Sequence, residues 1–174
     1  MNVRIQRRAV EPQDRDFLRE VFGSTRESEL ANADFNEQQR EVFLDMQFHI
    51  QDTHYHNVYP HASYEVIEVN GRPAGRLYVD RGREDIRVVD IALLPAYCGK
   101  GIGSNLLSAL LEEGRQSACT VSIHVEHNNP ALRLYKRLGF KKKDDTGVYF
   151  LMEWRTPPMP FTTPCNVVGE DSQD

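Results

Sequence analysis

The chain has 174 residues, 40% of them hydrophobic and 27% charged, which is the size and composition of one globular domain with a single core. Its formal net charge of −5 argues against nucleic acid as a partner, and no apolar run reaches the roughly 18–20 residues that cross a bilayer. The first residues contain no apolar signal region and the three cysteines (Cys98, Cys119, Cys165) show no CxxC spacing, so we expect a cytoplasmic protein without a disulfide framework or a zinc site.

Alternating and helical apolar patterns predict five elements in the first half of the chain, in the order β-α-α-β-β. In chain order they span residues 3–9, 11–22, 36–53, 64–69 and 73–79. The last two strands form a predicted hairpin, because Asn70 and Gly71 between them supply the positive φ angles that a type I′ turn requires.

The second half of the chain continues the predicted order as β-α-β-α-β-β. In chain order these elements span residues 86–94, 104–116, 119–125, 130–138, 140–143 and 148–154. Residues 86–94 are a nearly continuous β-branched and apolar run, typical of a strand covered on both faces, and Gly139 is placed to end the preceding helix. Residues 1–155 are therefore predicted to form one mixed α/β domain, followed by a loosely held tail over residues 156–174.

Three glycines alternate at Gly99, Gly101 and Gly103, where the buried strand passes into a helix. Glycine lets the backbone turn sharply and approach a ligand, and the start of a helix offers unpaired N–H groups and the positive end of its dipole. The turn thus indicates a phosphate or pyrophosphate site, with Lys100 adding a charge, although a purely structural connection would have the same glycines. Its GxGxG spacing matches neither the P-loop nor the GxGxxG dinucleotide pattern.

A second motif, VEHNNPALRLYKRLGF, spans residues 125–140. The glycine turn alone is a weak signal, but the two motifs together are specific for one family. Together with CGKGIG over residues 98–103, this second motif resembles the GNAT superfamily of acyl-CoA-dependent N-acyltransferases, whose two motifs are (Q/R)xxGxG and NxxAxxxYxxxGF. The resemblance covers roughly residues 66–154 and departs from the family at Cys98, where the family has Gln or Arg. The second motif is matched by Asn128, Ala131, Tyr135, Gly139 and Phe140.

The resemblance implies a single-domain GNAT-like α/β (α+β) fold, with a mixed, mostly antiparallel central sheet that splays between strands 4 and 5 and is flanked by helices. It also implies acetyl-CoA (coenzyme A) as co-substrate and no metal. In the family the pantetheine arm contacts the fourth strand and the pyrophosphate contacts the glycine turn. The implied cofactor-binding residues are Ile91, Ala92, Leu93, Cys98, Gly99, Lys100, Gly101, Ile102, Gly103, Ser104, Asn128 and Asn129. Cys98 leaves open whether cofactor binding is weakened or unaffected.

The resemblance further implies an N-acetyltransferase that moves an acetyl group to a primary amine by direct attack, and Tyr135 matches the family's general-acid position. The general base stays open. His124 lies near the end of its strand, where some members have a catalytic Glu, Asp90 is a carboxylate in an apolar strand, and Glu126 is a third candidate. Each of these could instead be a structural polar group, and a non-catalytic acyl-CoA-binding or regulatory module with the same fold is the alternative function.

Acceptor binding in the family involves the first two helices, their loop and the terminal hairpin, which directs attention to residues 47–64. This stretch is rich in His and Tyr: His49, His54, Tyr55, His56, Tyr59, His61 and Tyr64. We predict a polar, aromatic pocket for a small-molecule or peptide amine, with an unremarkable surface loop as the alternative. A metal is disfavoured because no Cys or acidic ligand completes a tetrahedral set. We expect no nucleic-acid or membrane partner, and a homodimer is left open.

Overall fold

The computed structural model describes residues 3–157, which form a seven-stranded sheet with helices on both faces. The strands are β1 (Ile5–Ala9), β2 (Ser63–Val69), β3 (Arg72–Arg81), β4 (Asp85–Leu93), β5 (Thr120–Glu126), β6 (Lys141–Asp145) and β7 (Tyr149–Trp154). The helices are α1 (Arg15–Thr25), α2 (Glu27–Ala31), α3 (Glu37–Val58), α4 (Ile102–Ser117) and α5 (Leu132–Arg137), with single 3-10 turns at Pro12–Asp14 and Pro95–Tyr97. The predicted tail from residue 158 onward lies outside the described residues.

All eleven predicted elements are found in the predicted order, and one short helix, α2, was not predicted. Only Leu30 of α2 is buried, so its five residues contain no apolar period that a sequence pattern could detect. The prediction ended the third helix too early: α3 runs on to Val58. It begins at the predicted place, because Asn36 and Gln39 form a reciprocal capping box.

The sheet order is β1-β2-β3-β4-β5-β7-β6, and every neighbouring pair is antiparallel except β4 and β5. The parallel pair is joined only between Asp85–Val88 and Thr120–Ile123. In the β3–β4 ladder Tyr78 faces Asp90 but Val79 faces Val88, so Val89 is an extra residue at the point where β4 leaves β5. Such a bulge bends its strand. The predicted splay between the fourth and fifth strands is therefore confirmed.

Two apolar cores cover the two faces of the sheet. The larger core packs α4 and α5 on one face, and the smaller one packs α1, α2 and α3 on the other. Alternate side chains of a strand point to opposite faces. Accordingly Ile91 and Leu93 pack against the larger core, whereas Asp90 contacts Tyr55 of α3. Within residues 3–157, no helix combines the length and the apolar character needed to cross a membrane.

Candidate active site

The larger cleft, of about 660 Å³, lies between the free end of β4, the glycine turn and α5. Its walls are apolar toward β4 and polar toward the turn. The lining residues are Ile91, Leu93, Cys98, Gly99, Gly101, Gly103, Ser104, Leu107, Asn129, Pro130, Ala131, Arg133, Leu134, Tyr135 and Arg137. We call it the turn cleft. Its lining suits a ligand with an apolar portion and an anionic portion.

The glycine turn has the backbone conformation that the sequence predicted. Gly99 and Gly101 have φ values of +71° and +77°, a left-handed region that L side chains rarely adopt. Gly101 is the N-cap of α4, and its carbonyl accepts the N–H of Asn105 at 3.0 Å. The N–H groups of residues 102–104 precede that bond and so have no partner within the helix. Gly103 and Ser104 line the turn cleft, so N–H groups of this helix start can hold an anion there.

Two arginines of α5 add positive charge to the same cleft. Arg133 and Arg137 both line it, and Arg137 donates from Nη2 to Ser104 Oγ at 3.3 Å. Amide N–H groups of a helix start together with guanidinium groups form a site of the chemistry that binds phosphate esters. Cys98, which replaces the usual Gln or Arg, is exposed and lines the cleft, and its Sγ lies 3.6 Å from the carbonyl oxygens of Leu93 and Leu94.

A second cleft, of about 190 Å³, includes residues from α3, β3, β4, β5 and β7. We call it the acceptor cleft. Three residues line both clefts, namely Ile91, Asn129 and Tyr135, so the two spaces meet where β4 and β5 part. The acceptor cleft is lined by Thr25, Arg26, Gln51, Tyr55, Arg76, Val89, Asp90, Ile91, Ile123, His124, Val125, Glu126, Asn129, Tyr135 and Tyr149. The two clefts are therefore adjacent at this point of the sheet.

Tyr135 lies at this junction. It is 4% exposed and packs edge-on against Phe140, with ring centroids 5.8 Å apart. Burial, reinforced by the negative charge of Asp90, raises the pKa of the Tyr135 hydroxyl, so the group stays protonated at neutral pH. The hydroxyl forms no hydrogen bond with any residue in the described part of the chain, which leaves its proton available to a ligand.

A buried ion pair forms one wall of the acceptor cleft. Arg76 of β3, 3% exposed, donates from Nη2 to Asp90 Oδ2 at 2.6 Å and to Gln51 Oε1 at 2.7 Å. Tyr55 donates its hydroxyl to the same Asp90 oxygen at 3.3 Å. Burial, followed by the charge of Asp90, raises the pKa of Tyr55. These four side chains come from two strands and one helix, and together they fix the position of the Asp90 carboxylate.

His124 and Glu126 stand on the opposite wall, on β5. Arg87 donates from Nη1 to His124 Nδ1 at 3.0 Å, and burial together with the Arg87 charge lowers the pKa of His124. A neutral His124 that accepts at Nδ1 must have its proton on Nε2. Glu126 is loosely paired with Arg26, at 3.7 Å. Within residues 3–157, no group of three or more His, Cys, Asp and Glu side chains is arranged to hold a metal ion.

Comparison with known proteins decides the family. The profile of the acetyltransferase (GNAT) family matches residues 25–140, which is more than half of the chain. The chain belongs to this family. The matched region contains all of the turn cleft and both motifs that the sequence analysis selected.

Curated relatives match this GNAT chain over part of its length. A Bacillus subtilis protein, named as a putative alanine N-acetyltransferase of ribosomal protein bS18, is 33% identical over 95 residues, which cover 52% of this chain and 63% of that protein. An N-alpha-acetyltransferase of Sulfurisphaera tokodaii is 31% identical over 96 residues, covering 47% of this chain and 58% of that protein. The matches thus span less than two thirds of each of these relatives.

Solved structures of GNAT proteins share the fold. The PaiA N-acetyltransferase of Thermoplasma acidophilum, in complex with coenzyme A, has a TM-score of 0.65 at 18% identity over 88% of this chain and 99% of that one. Arabidopsis thaliana Naa50, in complex with the bisubstrate analogue CoA-Ac-MVNAL, has a TM-score of 0.60 at 18% identity over 87% and 99%. The predicted family and fold are therefore confirmed.

Most of the predicted cofactor-binding residues line the turn cleft, and four do not: Ala92, Lys100, Ile102 and Asn128. Ile102 is buried in the core and Lys100 is exposed, although their backbone groups belong to the turn. The carbonyl oxygen of Ala92 packs tightly against Gly75 of β3. Asn128 is exposed in the turn after β5, whereas its neighbour Asn129 lines both clefts and accepts the N–H of Ala131.

Sequence reasoning missed several residues of the acceptor cleft, chiefly Arg26, Gln51, Arg76 and Tyr149. Of the His- and Tyr-rich stretch it emphasised, only Gln51 and Tyr55 line the cleft. One signal was available for Arg76, because a lone arginine inside the apolar strand β3 must have a partner when buried. No sequence signal distinguishes Gln51 from its neighbours on α3.

Proposed function

We propose that the protein is an N-acetyltransferase that moves an acetyl group from acetyl-CoA to a primary amine by direct attack. One observation supports this above all: an anion-binding cleft and a polar cleft meet at the buried, protonated Tyr135 through a gap in the sheet. Two separate substrates can thus place a thioester and an amine side by side without leaving the protein.

Acetyl-CoA fits the turn cleft as a substrate. Its diphosphate would accept hydrogen bonds from the amides of residues 102–104, with Arg133 and Arg137 nearby. Its pantetheine arm would follow the end of β4 that pairs with β3 but no longer with β5, past Ile91 and Leu93. The relatives support this placement, since the PaiA structure is a complex with coenzyme A and the Naa50 structure contains a CoA-peptide conjugate.

The chemistry would proceed in the gap. The amine nitrogen attacks the thioester carbonyl carbon, the C–N bond forms, and the C–S bond of the tetrahedral intermediate then breaks. Tyr135 donates its proton to the departing sulfur, since its raised pKa keeps the hydroxyl protonated until that moment. A base must take one proton from the nitrogen.

We assign the base to Asp90. His124 Nδ1 is already engaged by Arg87, which leaves the neutral ring without a free lone pair. Glu126 is paired with Arg26, although at a longer distance. Asp90 accepts hydrogen bonds from Arg76 and Tyr55 at Oδ2, and it lines the same cleft as Tyr135, the proposed acid. Its other oxygen can take the proton directly or through one water.

Two measurements test the proposal. Calorimetry should show that the protein binds coenzyme A and acetyl-CoA, and a thiol-release assay across a panel of amines should then find turnover. A protein that binds neither ligand would refute the assignment, whereas tight binding without turnover on any amine would favour the alternative of a non-catalytic acyl-CoA-binding or regulatory module.

Direct attack makes a separate kinetic prediction. Initial rates with both substrates varied should give intersecting lines, because both must be bound before the acetyl group moves. Cys98 is the exposed thiol in the turn cleft, so Cys98→Ala is the decisive variant. Parallel lines, together with an acetylated cysteine lost in Cys98→Ala, would establish a covalent route instead.

A further inference from the structure

We propose that Arg76 determines acceptor specificity by binding an oxygen next to the reacting nitrogen, so that the substrate is an α-aminoacyl group. This inference rests on the proposed function, because it takes the smaller cleft to be the acceptor site. It goes further by naming the chemical class of the acceptor and one residue that selects it.

Arg76 has donors that the protein itself leaves unused. Both of its hydrogen bonds come from Nη2, to Asp90 and Gln51, and its guanidinium lies 5.4 Å from the centre of the Tyr78 ring. Its Nε is buried and has no hydrogen-bond partner in the described part of the chain. A buried N–H without a partner is costly, and Arg76 lines the acceptor cleft. Nε is closed to solvent, but Nη1 of the same guanidinium also has no hydrogen-bond partner in the described part of the chain. A carbonyl or carboxylate oxygen of the acceptor would supply the partner that Nη1 lacks.

The negative charge of Asp90 explains why the group that binds beside Arg76 would have an amine. Asp90 stands beside Arg76 in the same cleft, at 2.6 Å, so the wall presents a negative and a positive group next to each other. An α-aminoacyl group has the complementary pair, an amine and a carbonyl oxygen attached to adjacent carbons. A simple alkylamine would engage only the carboxylate and would leave Arg76 unsatisfied.

The rest of the cleft argues against a polycationic acceptor. The other carboxylate of the cleft, Glu126, forms an ion pair with Arg26. Burial and the charge of Arg87 lower the pKa of His124, which favours the neutral ring. No surplus negative charge faces the cleft from its described residues. Its volume of about 190 Å³ corresponds to roughly six water molecules at about 30 Å³ each, enough for an α-aminoacyl group with a small side chain.

The substrate-side test needs no mutation. Alaninamide and isopropylamine share a methyl-bearing carbon with a primary amine, and only the first has an adjacent carbonyl. Rates are compared per neutral amine over a pH series, because the two amines have different pKa values. We expect kcat/KM for alaninamide to exceed that for isopropylamine at least about tenfold, the value of one hydrogen bond to a charged group. Equal values would overturn the inference.

The protein-side test uses Arg76→Lys, which keeps the charge opposite Asp90 but loses the planar fork of donors. Because Arg76 also positions Asp90, the variant will change the rates for both amines, so the readout is their ratio. We expect the ratio of kcat/KM for alaninamide to kcat/KM for isopropylamine to fall at least about tenfold, so that the preference disappears. Arg81→Lys is the matched control, because Arg81 lies on the same strand, pairs with Glu113 and lies outside both clefts. A preference that survives Arg76→Lys would assign Arg76 a structural role only.

Binding separates this inference from the proposed function. Alaninamide and isopropylamine are titrated by calorimetry into wild-type and Arg76→Lys protein, each saturated with coenzyme A. Absence of turnover would refute the enzyme, but stronger binding of alaninamide that depends on Arg76 would still support the site, and equal binding would refute it. Alanine, alaninamide and an alanyl dipeptide then distinguish a free amino acid from a peptide N-terminus as the source of the aminoacyl group.

Discussion

Alanine substitutions at Gly101 and Gly103 test the proposed diphosphate site, because each substitution adds a single methyl group. Gly101 has a φ of +77°, and a Cβ built on it would meet nothing within 4 Å. Gly101→Ala therefore causes no clash but forces an L residue into the left-handed region, at about 1–2 kcal/mol. Since 1 kcal/mol corresponds to roughly 2–4 °C in a domain of this size, we expect Tm to fall by about 2–8 °C.

Gly103→Ala should behave differently. Gly103 lies in the first turn of α4, and a Cβ there would meet Leu134 Cδ2 at 3.6 Å, an ordinary contact. Alanine is favoured over glycine inside a helix by about 0.5–1 kcal/mol, so Tm should hold or rise. The new methyl would, however, stand at the wall of the turn cleft among the amides proposed to hold the diphosphate. Losing one charge-assisted hydrogen bond of about 1.5–3 kcal/mol would raise Kd roughly ten- to hundredfold.

Thermal unfolding without ligand and calorimetry with coenzyme A measure the two effects separately. S-acetylpantetheine lacks the diphosphate, so its affinity should be the same for wild type and Gly103→Ala. Gly71→Ala is the matched control for strain, because Gly71 also has a φ of +77° but lies in the β2–β3 hairpin turn. It should lower Tm like Gly101→Ala and leave coenzyme A binding intact. If Gly103→Ala bound coenzyme A with the wild-type Kd, the diphosphate could not lie on this turn.

Three further outcomes follow from the geometry. Tyr135→Phe should lower kcat by about 10²–10⁴-fold with little change in the Kd of acetyl-CoA, as expected for loss of a general acid, and an unchanged kcat would remove Tyr135 from the chemistry. Gly75→Ala would place a Cβ 2.2 Å from the Ala92 carbonyl oxygen, so we expect poor folding or displacement of β4, seen as a lower Tm than for Gly71→Ala; equal Tm values would contradict it. Folding lowers the pKa of His124 from 6.5 and so favours the neutral ring. The stability that His124 contributes is therefore present above pH 6.5 and is lost as pH falls below 6.5, where the unfolded chain takes up the proton first. His124→Gln should therefore flatten the decline in the free energy of unfolding between about pH 7 and pH 5, and an unchanged slope in urea titrations would show that His124 does not cause it.

The local part of this protein could be predicted from sequence because it depends on neighbours in the chain. Asn70 and Gly71 adopt the positive φ values, +53° and +77°, that their residue types favour, and Gly139 ends α5 with a φ of +95°. Gly99 and Gly101, in the turn between β4 and α4, lie in the left-handed region for the same reason. Apolar periodicity also predicted the order of the eleven elements, and two sequence motifs showed the resemblance that the family match confirmed.

The residues that line the acceptor cleft are brought together only by the tertiary structure. Arg76 is 14 residues from Asp90 and 25 residues from Gln51 in the chain, and the three meet only because the β3–β4 ladder and the packing of α3 bring them together. The sequence left the base open among His124, Asp90 and Glu126, and our proposal of Asp90 depends on a tertiary contact, since the Arg87 hydrogen bond that engages His124 spans 37 positions. The sequence by itself determined where the backbone turns, where helices begin and end, and which segments alternate as strands, because those preferences are local. Which polar side chains share a partner, and which donor of Arg76 is left without one, depended on the three-dimensional packing of the strands and of α3.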